Sequence, residues 1–124
     1  MSMTEDGRRR NSVLACLVMI RKQAPNVTVS ELLAFLYVAE NPGIRVKELA
    51  ILMDTTNATA SRASRALLTP GDSGALPPGR GWLLMASNGR EATSRHLYAT
   101  DAGRALLTRL DDLIRAARPI LQPS

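Results

Sequence analysis

The residues best suited to bind another molecule lie in a polar segment between residues 55 and 71. This segment has no aspartate or glutamate, although a solvent-exposed helix face usually mixes acidic with basic side chains. Its candidate contact residues are short polar side chains and two arginines: Asn57, Thr59, Ser61, Arg62 and Arg65. Side chains of these types hydrogen-bond phosphate oxygens and the edges of nucleic-acid bases. The segment therefore favours a polyanion such as DNA as its binding partner.

Two short helices joined by a tight turn are predicted to position these side chains, within residues 44–68. The spacing of apolar residues predicts a first helix over 46–53 and a second over 57–68. Between them, Asp54 tolerates the left-handed conformation of a sharp turn, and Thr56 is placed to cap the second helix. Such a pair can present its second helix to DNA.

The second helix has one apolar face and one polar face. Its predicted inward residues are Ala60, Ala63 or Ser64, and Leu67. The outward residues that lie together are Ala58, Ser61, Arg62 and Arg65. An ordinary amphipathic helical hairpin with a solvated outer face is the alternative interpretation of this segment alone.

Composition indicates a single folded domain with a basic surface. The 124 residues are 45% hydrophobic and carry a formal net charge of +5, and 14 of the 16 basic residues are arginine. The planar guanidinium binds oxyanions in pairs, although high-GC codon usage would also favour arginine. The single cysteine, Cys16, excludes an internal disulfide framework, and its apolar neighbours favour a buried, inert thiol over a redox sensor.

The N-terminal region superficially resembles a targeting signal. Residues 1–10 form a basic tail that we expect to be flexible, followed by the lipoprotein-like tripeptide Leu14-Ala15-Cys16. The apolar stretch that should precede such a cysteine is missing, and the apolar run 13–20 is too short to span a bilayer. We therefore expect a cytoplasmic protein that does not contact membranes.

The remaining elements are predicted from caps, breakers and apolar periodicity, within a single domain over residues 11–124. Helices are expected over 11–24 and over 100–121. Another helix is expected to begin at the capping box Thr28-Val29-Ser30-Glu31 and to end at residues 41–43. A Gly/Pro-rich connector covers 69–81, and two strands flank an Asn88-Gly89 turn within a wing at 81–99. The fold class is thus mainly α with a small two-stranded β-wing.

This element order is that of a winged helix-turn-helix, and the sequence resembles the MarR family of bacterial transcriptional regulators. The resemblance covers about residues 31–110 and depends on Leu49-Ala50, Ser61-Arg62 and the Ala99 to Leu106 segment that follows the wing. Two features differ from the family pattern. The wing lacks the usual Asp-x-Arg signature, and the chain is shorter than typical members.

The resemblance implies a homodimeric repressor-like regulator on a pseudo-palindromic operator of double-stranded DNA. The second helix of the pair would enter the major groove, and the wing, with Arg90 and Arg95, the minor groove. In a bacterial cell such a protein is associated with the nucleoid when it binds DNA. A small-molecule effector is compatible with the family, but the residues identify none.

Dimerisation is predicted to use the two terminal helices, 11–24 and 100–121. The last helix carries apolar residues at alternating spacings of four and three. The first helix is expected to contribute Leu14 and Leu17 to the same interface. The predicted dimerisation residues are Leu14, Leu17, Leu106, Leu110, Leu113, Ala117 and Ile120. The alternative is that both flanks of the last helix pack within one chain.

Other functions have weaker support in the sequence. A winged-helix module that binds proteins through an exposed Trp82 and the wing is the main alternative to DNA binding. Arg65 could instead pair with Asp72, and Arg95 could simply face solvent. One histidine, His96, and one cysteine provide no catalytic constellation and no metal-ligand spacing, so we expect neither enzyme activity nor a metal or other cofactor.

Overall fold

Five helices and one two-stranded antiparallel sheet make up the part of the chain that the structure describes, residues 11–88 and 91–121 of a computed structural model. The elements are α1 (Ser12–Gln23), α2 (Val29–Glu40), α3 (Val46–Leu52), α4 (Asn57–Ala66), β1 (Leu83–Asn88), β2 (Glu91–Ala99) and α5 (Asp101–Ala116). This is the predicted order of a winged helix. The basic tail predicted at 1–10 lies outside the described residues.

The described residues divide into two compact units. The central unit, Thr28–Arg104, contains α2, α3, α4 and both strands, and the terminal unit combines residues 11–27 with 105–121. α5 begins in the central unit and continues into the terminal one. Within the described ranges, no helix is both long and apolar enough to cross a membrane.

Side-chain caps start α1 and α2 where the sequence predicts these helices to begin. The side chain of Asn11 accepts a hydrogen bond from the Leu14 amide at 2.9 Å. Thr28 Oγ1 accepts one from the Glu31 amide at 3.0 Å, as the first half of a capping box requires. The Glu31 carboxylate itself is buried and accepts a hydrogen bond from Arg80 Nε at 2.7 Å, a long-range contact that the capping motif did not predict.

The core of the central unit lies between α2, the C-terminal end of α4 and the sheet. Its fully buried side chains include Phe35, Val38, Leu49, Leu67, Leu68, Leu83 and Leu97. Burial of each such side chain stabilises the fold by about 1.5–3 kcal/mol. Trp82 belongs to this core, with its ring centroid 5.1 Å from that of Phe35 and only 8% of its surface exposed. The hypothesis of an exposed Trp82 is therefore wrong.

The sheet is attached to the segment that precedes α3. The strands pair from Leu83 opposite Ala99 to Ser87 opposite Arg95, and the register then shifts. Ile44 and Leu97 form an additional antiparallel bridge, in which the Leu97 amide donates to the Ile44 carbonyl at 2.8 Å. The wing is thus fixed by backbone hydrogen bonds to the start of the helix pair.

In the terminal unit, the last helix is shorter than predicted. α5 ends at Ala116, and Ala117 and Ile120 lie beyond it, so the predicted helix to residue 121 is wrong. Proline disfavours the helical conformation in the residue before it, and Pro119 therefore opposes a helix through Arg118. The Arg118 carbonyl accepts a hydrogen bond from the Ser12 amide at 2.9 Å, which joins the segment after α5 to the start of α1.

Gly103 permits the closest approach of α5 to the core. A Cβ atom at this position would overlap the Trp82 carbonyl oxygen, far inside van der Waals contact. The first turn of α5 is also held by two hydrogen bonds, from the Thr100 amide to the Trp82 carbonyl at 3.0 Å and from Thr100 Oγ1 to the Gly81 carbonyl at 2.6 Å. Glycine is therefore required by packing.

Gly103→Ala should lower the free energy of unfolding by about 1–3 kcal/mol, because the new methyl group must displace the Trp82 backbone. Helix propensity alone predicts the opposite sign, a gain of about 1 kcal/mol. Urea denaturation followed by circular dichroism distinguishes the two results. A variant as stable as the wild type, or more stable, would contradict the close contact.

Candidate nucleic-acid interface

A tight turn at Asp54 sets the direction of α4 relative to α3. Asp54 has a φ of +54°, in the left-handed region that the sequence predicts for it. The Thr55 amide donates to the Ala50 carbonyl at 3.0 Å, and Thr56 Oγ1 accepts from the Thr59 amide at 3.1 Å. The predicted N-cap of α4 is therefore confirmed, and the turn leaves little freedom in where α4 begins.

The two faces of α4 are those predicted from the sequence. Ala60, Ala63 and Ser64 are buried, and the Ser64 hydroxyl donates to the Ala60 carbonyl at 2.9 Å. α4 ends at Ala66, short of the predicted residue 68, because Leu68 forms a β-bridge with Leu83. The buried face of α4 thus fixes which side chains point outward.

All five candidate contact residues of α4 retain exposed surface. Asn57 and Arg62 are exposed, and Thr59, Ser61 and Arg65 are half-exposed. The Thr59 hydroxyl accepts a hydrogen bond from Thr56 Oγ1 at 3.1 Å, so it contributes to the cap but can still donate to a ligand. The first acidic residue after α4 is Asp72. The outer face of α4 therefore combines exposed donors and two arginines without a carboxylate on the same helix.

Arg65 makes a contact that the sequence did not predict. Its Nε donates to the Gly74 carbonyl at 2.6 Å, in the connector between α4 and β1. The alternative prediction, an ion pair between Arg65 and Asp72, is wrong, because the ion pairs among the described residues do not include it. A backbone carbonyl leaves the positive charge of Arg65 uncompensated, whereas a carboxylate would neutralise it.

Two exposed bases at the start of α3 did not stand out in the sequence. Arg45 is the N-cap of α3, and Lys47 lies in its first turn. The Arg45 amide donates to Glu48 Oε1 at 2.9 Å, and this backbone hydrogen bond, followed by the side-chain contacts of Arg45, lowers the pKa of the Glu48 carboxyl. The sequence prediction relied on the absence of acidic residues to recognise a DNA-binding face. Because α3 contains Glu48, its basic residues did not meet that criterion.

The wing residues are only partly described. Arg95 is exposed on β2 opposite Ser87, as its candidate role requires, whereas Arg90 lies outside the described residues. His96 is half-buried, and its Nδ1 lies 2.8 Å from the Gly43 carbonyl oxygen, so it helps to join the wing to the segment before α3.

The predicted dimerisation residues separate into three groups in the terminal unit, by their exposure. Leu106 and Leu110 are buried within the single chain and contribute to its own packing. Leu113 and Ala117 are half-buried. Leu14, Leu17 and Ile120 are exposed, with 45%, 49% and 61% of their surface accessible.

Cys16 lies in an environment that lowers its reactivity. The thiol is half-buried, and its Sγ is 4.0 Å from the Leu110 carbonyl oxygen. Desolvation raises its pKa above the ordinary value, because burial disfavours the charged thiolate. Both observations agree with the predicted inert thiol.

Alkylation of Cys16 by iodoacetamide should therefore need a higher pH than alkylation of a free cysteine. Only the thiolate reacts, so a raised pKa moves the curve of alkylation rate against pH toward higher pH. At pH 8 we expect a rate at least about fivefold below that of the unfolded chain. Mass spectrometry of the native protein and of the same protein in guanidinium gives both rates. Equal rates would contradict a desolvated thiol.

Comparison with known proteins places this arrangement among solved winged-helix structures. No protein-family model matches the chain, and no curated protein matches it by sequence. The transcriptional repressor CouR, solved with a 23-mer DNA duplex, superimposes with a TM-score of 0.60 at 22% identity, over 82% of this chain and 63% of that one. FabT of Streptococcus pneumoniae, solved in complex with DNA, gives 0.56 at 13% identity, over 82% and 70%.

A MarR-family transcriptional regulator from Silicibacter pomeroyi gives a TM-score of 0.54 at 22% identity, over 85% of this chain and 65% of that one. The chain thus spans less than two thirds of the length of this protein and of CouR. At these identities the similarity defines the fold. The chain has the winged-helix fold of the MarR regulators.

Proposed function

We propose that the protein is a dimeric, sequence-specific regulator of transcription that inserts α4 into the major groove of double-stranded DNA. The observation that supports this most directly is the outer face of α4, where exposed Asn57 and Arg62 and half-exposed Ser61 occur without an acidic residue. The DNA-bound structures of CouR and FabT, which share the fold, provide independent support. Such a regulator would act in the bacterial cytoplasm.

In this proposal the residues of α4 have distinct roles. An α-helix fits the major groove, where each base pair presents a different pattern of donors and acceptors. Arg62 is the residue we assign to a guanine edge or a phosphate, and Asn57, Thr59 and Ser61 contact base edges and the backbone near the start of the helix. Arg95 would approach the minor groove, and we assign the same role to Arg90, which lies outside the described residues.

Dimerisation would use the exposed apolar residues of the terminal unit. Leu14 and Leu17 lie on one face of α1, and Ile114 on α5 is also exposed. Large exposed apolar patches mark protein–protein interaction sites, and we infer that these residues form part of one. A second copy is the partner that a pseudo-palindromic site requires, because the two-fold axis of the dimer matches that of the DNA.

The alternative function, a module that binds proteins through Trp82, requires an exposed Trp82, and this residue is buried. Trp82 is packed against Phe35, and its backbone carbonyl receives the Thr100 amide. We therefore assign the interaction surface to α4 and the wing.

Arg62→Ala should weaken binding to a cognate duplex by roughly 5- to 100-fold, because it removes one base or phosphate contact. If the contact is to phosphate, the slope of log K against log salt should become shallower by about 0.9. Fluorescence anisotropy at several salt concentrations measures both quantities. The matched control is Arg109→Ala, which removes the same charge from an exposed position of α5.

Equal losses in the Arg62 and Arg109 variants would show that only net charge matters, and that result would exclude α4 as the reading element. A wild-type protein that binds no duplex more tightly than bulk DNA would exclude sequence-specific regulation altogether.

Leu17→Glu should convert the dimer to a monomer, because a carboxylate in an apolar interface must be desolvated without a partner. Ile51→Glu is the control, since Ile51 is even more exposed, at 73%, but lies on α3 in the central unit. Size-exclusion chromatography with light scattering gives the mass of each variant. A Leu17 variant that stays dimeric would refute the proposed interface.

A further inference from the structure

The connector between α4 and β1 is tied back to the C-terminal half of α4. We define the connecting loop as residues 69–81. The Leu76 amide donates to the Arg65 carbonyl at 3.0 Å, and the Arg80 amide donates to the Ala66 carbonyl at 3.0 Å. The far end is fixed by the ion pair of Arg80 with Glu31, whose side chains are about one-tenth exposed. A Gly/Pro-rich segment therefore has a defined position beside α4.

Arg65 is held by this loop at both its backbone and its side chain. Its carbonyl accepts the Leu76 amide, while its Nε donates to the Gly74 carbonyl at 2.6 Å. Two successive turns shape the loop, with hydrogen bonds from the Asp72 amide to the Thr69 carbonyl and from the Ala75 amide to the Asp72 carbonyl, both 3.0 Å. Gly74 accepts this bond at a φ of +86°, which other residues rarely adopt.

The geometry of a guanidinium makes this contact useful to a ligand. Nε has one N–H group, and the two terminal nitrogens have four more in the same plane. A carbonyl at Nε orients that plane, and the terminal nitrogens are the pair that can bind a phosphate with two parallel hydrogen bonds. Arg65 is half-exposed and follows Arg62 at a spacing of three, so both lie on the outer face of α4.

We propose that the Gly74 carbonyl is a positioning group, which holds the Arg65 guanidinium in the orientation that binds a phosphate of the DNA backbone. The proposal rests on the DNA-binding function proposed above. A side chain ordered before binding loses less conformational entropy in the complex, so the loop increases affinity without touching the DNA. The loop thus belongs to the DNA-binding machinery through Arg65.

A double-mutant cycle tests this role. Gly74→Ala strains the backbone at φ +86° and should turn the carbonyl away from Arg65, while its Cβ, 3.6 Å from Arg65 Nε, makes only an ordinary van der Waals contact. Gly71→Ala is the matched control, because Gly71 lies in the same loop at φ +95° and a Cβ there would meet nothing within 4 Å. Each change is made in the wild type and in Arg65→Ala. Binding is measured by anisotropy on the duplex that the wild type selects from random DNA, at several salt concentrations.

We expect Gly74→Ala to weaken binding roughly three- to tenfold in the wild-type background and to have no effect in Arg65→Ala. The salt slope should stay unchanged in Gly74→Ala, since the charge remains, and become shallower by about 0.9 in Arg65→Ala. Gly71→Ala should bind as the wild type does. If Gly74→Ala and Gly71→Ala behave alike, or if the Gly74 and Arg65 effects simply add, the positioning role is overturned.

Arg65→Lys keeps the test decisive if Gly74→Ala does not fold. Lysine retains the charge but has no Nε–H group that the Gly74 carbonyl could orient, so it should weaken binding roughly three- to tenfold with an unchanged salt slope. If Arg65→Lys binds DNA as tightly as the wild type, the Gly74 carbonyl has no positioning role, although the protein still binds DNA. A wild type that selects no duplex would instead remove the proposed function itself.

Discussion

The burial of Trp82 is the constraint on which the arrangement of the central unit depends. Its amide donates to the Leu67 carbonyl at 2.9 Å, its ring packs on Phe35, and its carbonyl accepts the Thr100 amide. One residue therefore connects the end of α4, the middle of α2 and the start of α5, and β1 follows directly after it. Because position 103 is a glycine, the start of α5 lies close against the Trp82 backbone. The direction in which α4 presents its outer face is consequently fixed by packing on its opposite face.

Arginine has two opposite physical roles in this chain. Arg80 is buried, and its guanidinium is paired with the Glu31 carboxylate and lies 6.0 Å from the centroid of the Trp82 ring. A buried charge needs such a partner, and removal of one member of a buried pair costs about 3–5 kcal/mol. Arg62 and Arg65 are on the accessible side of α4, and the ion pairs of the described residues do not involve them. The first role stabilises the fold, and the second leaves positive charge available to a polyanion.

Local interactions made much of the fold predictable from the sequence, whereas long-range contacts did not. The turn at Asp54 and the cap at Thr56 depend on residues at most five positions apart, so residue types alone indicate them. The Arg65 to Gly74 bond spans nine positions through an irregular loop, and Glu31 lies 49 positions from Arg80. Periodicity identified an apolar stripe on α5 but could not show which leucines pack within the chain. The outer face of α4 was predictable because it is a local helical pattern, and the orientation of Arg65 was not.

Selection of bound fragments from random double-stranded DNA shows whether two symmetry-related copies of α4 recognise a DNA sequence. Successive rounds should enrich one motif with two inverted half-sites about 10 base pairs apart, centre to centre, because two copies of α4 then enter successive major grooves on one side of the duplex. A selected pool that remains indistinguishable from the input would contradict sequence-specific recognition by this fold.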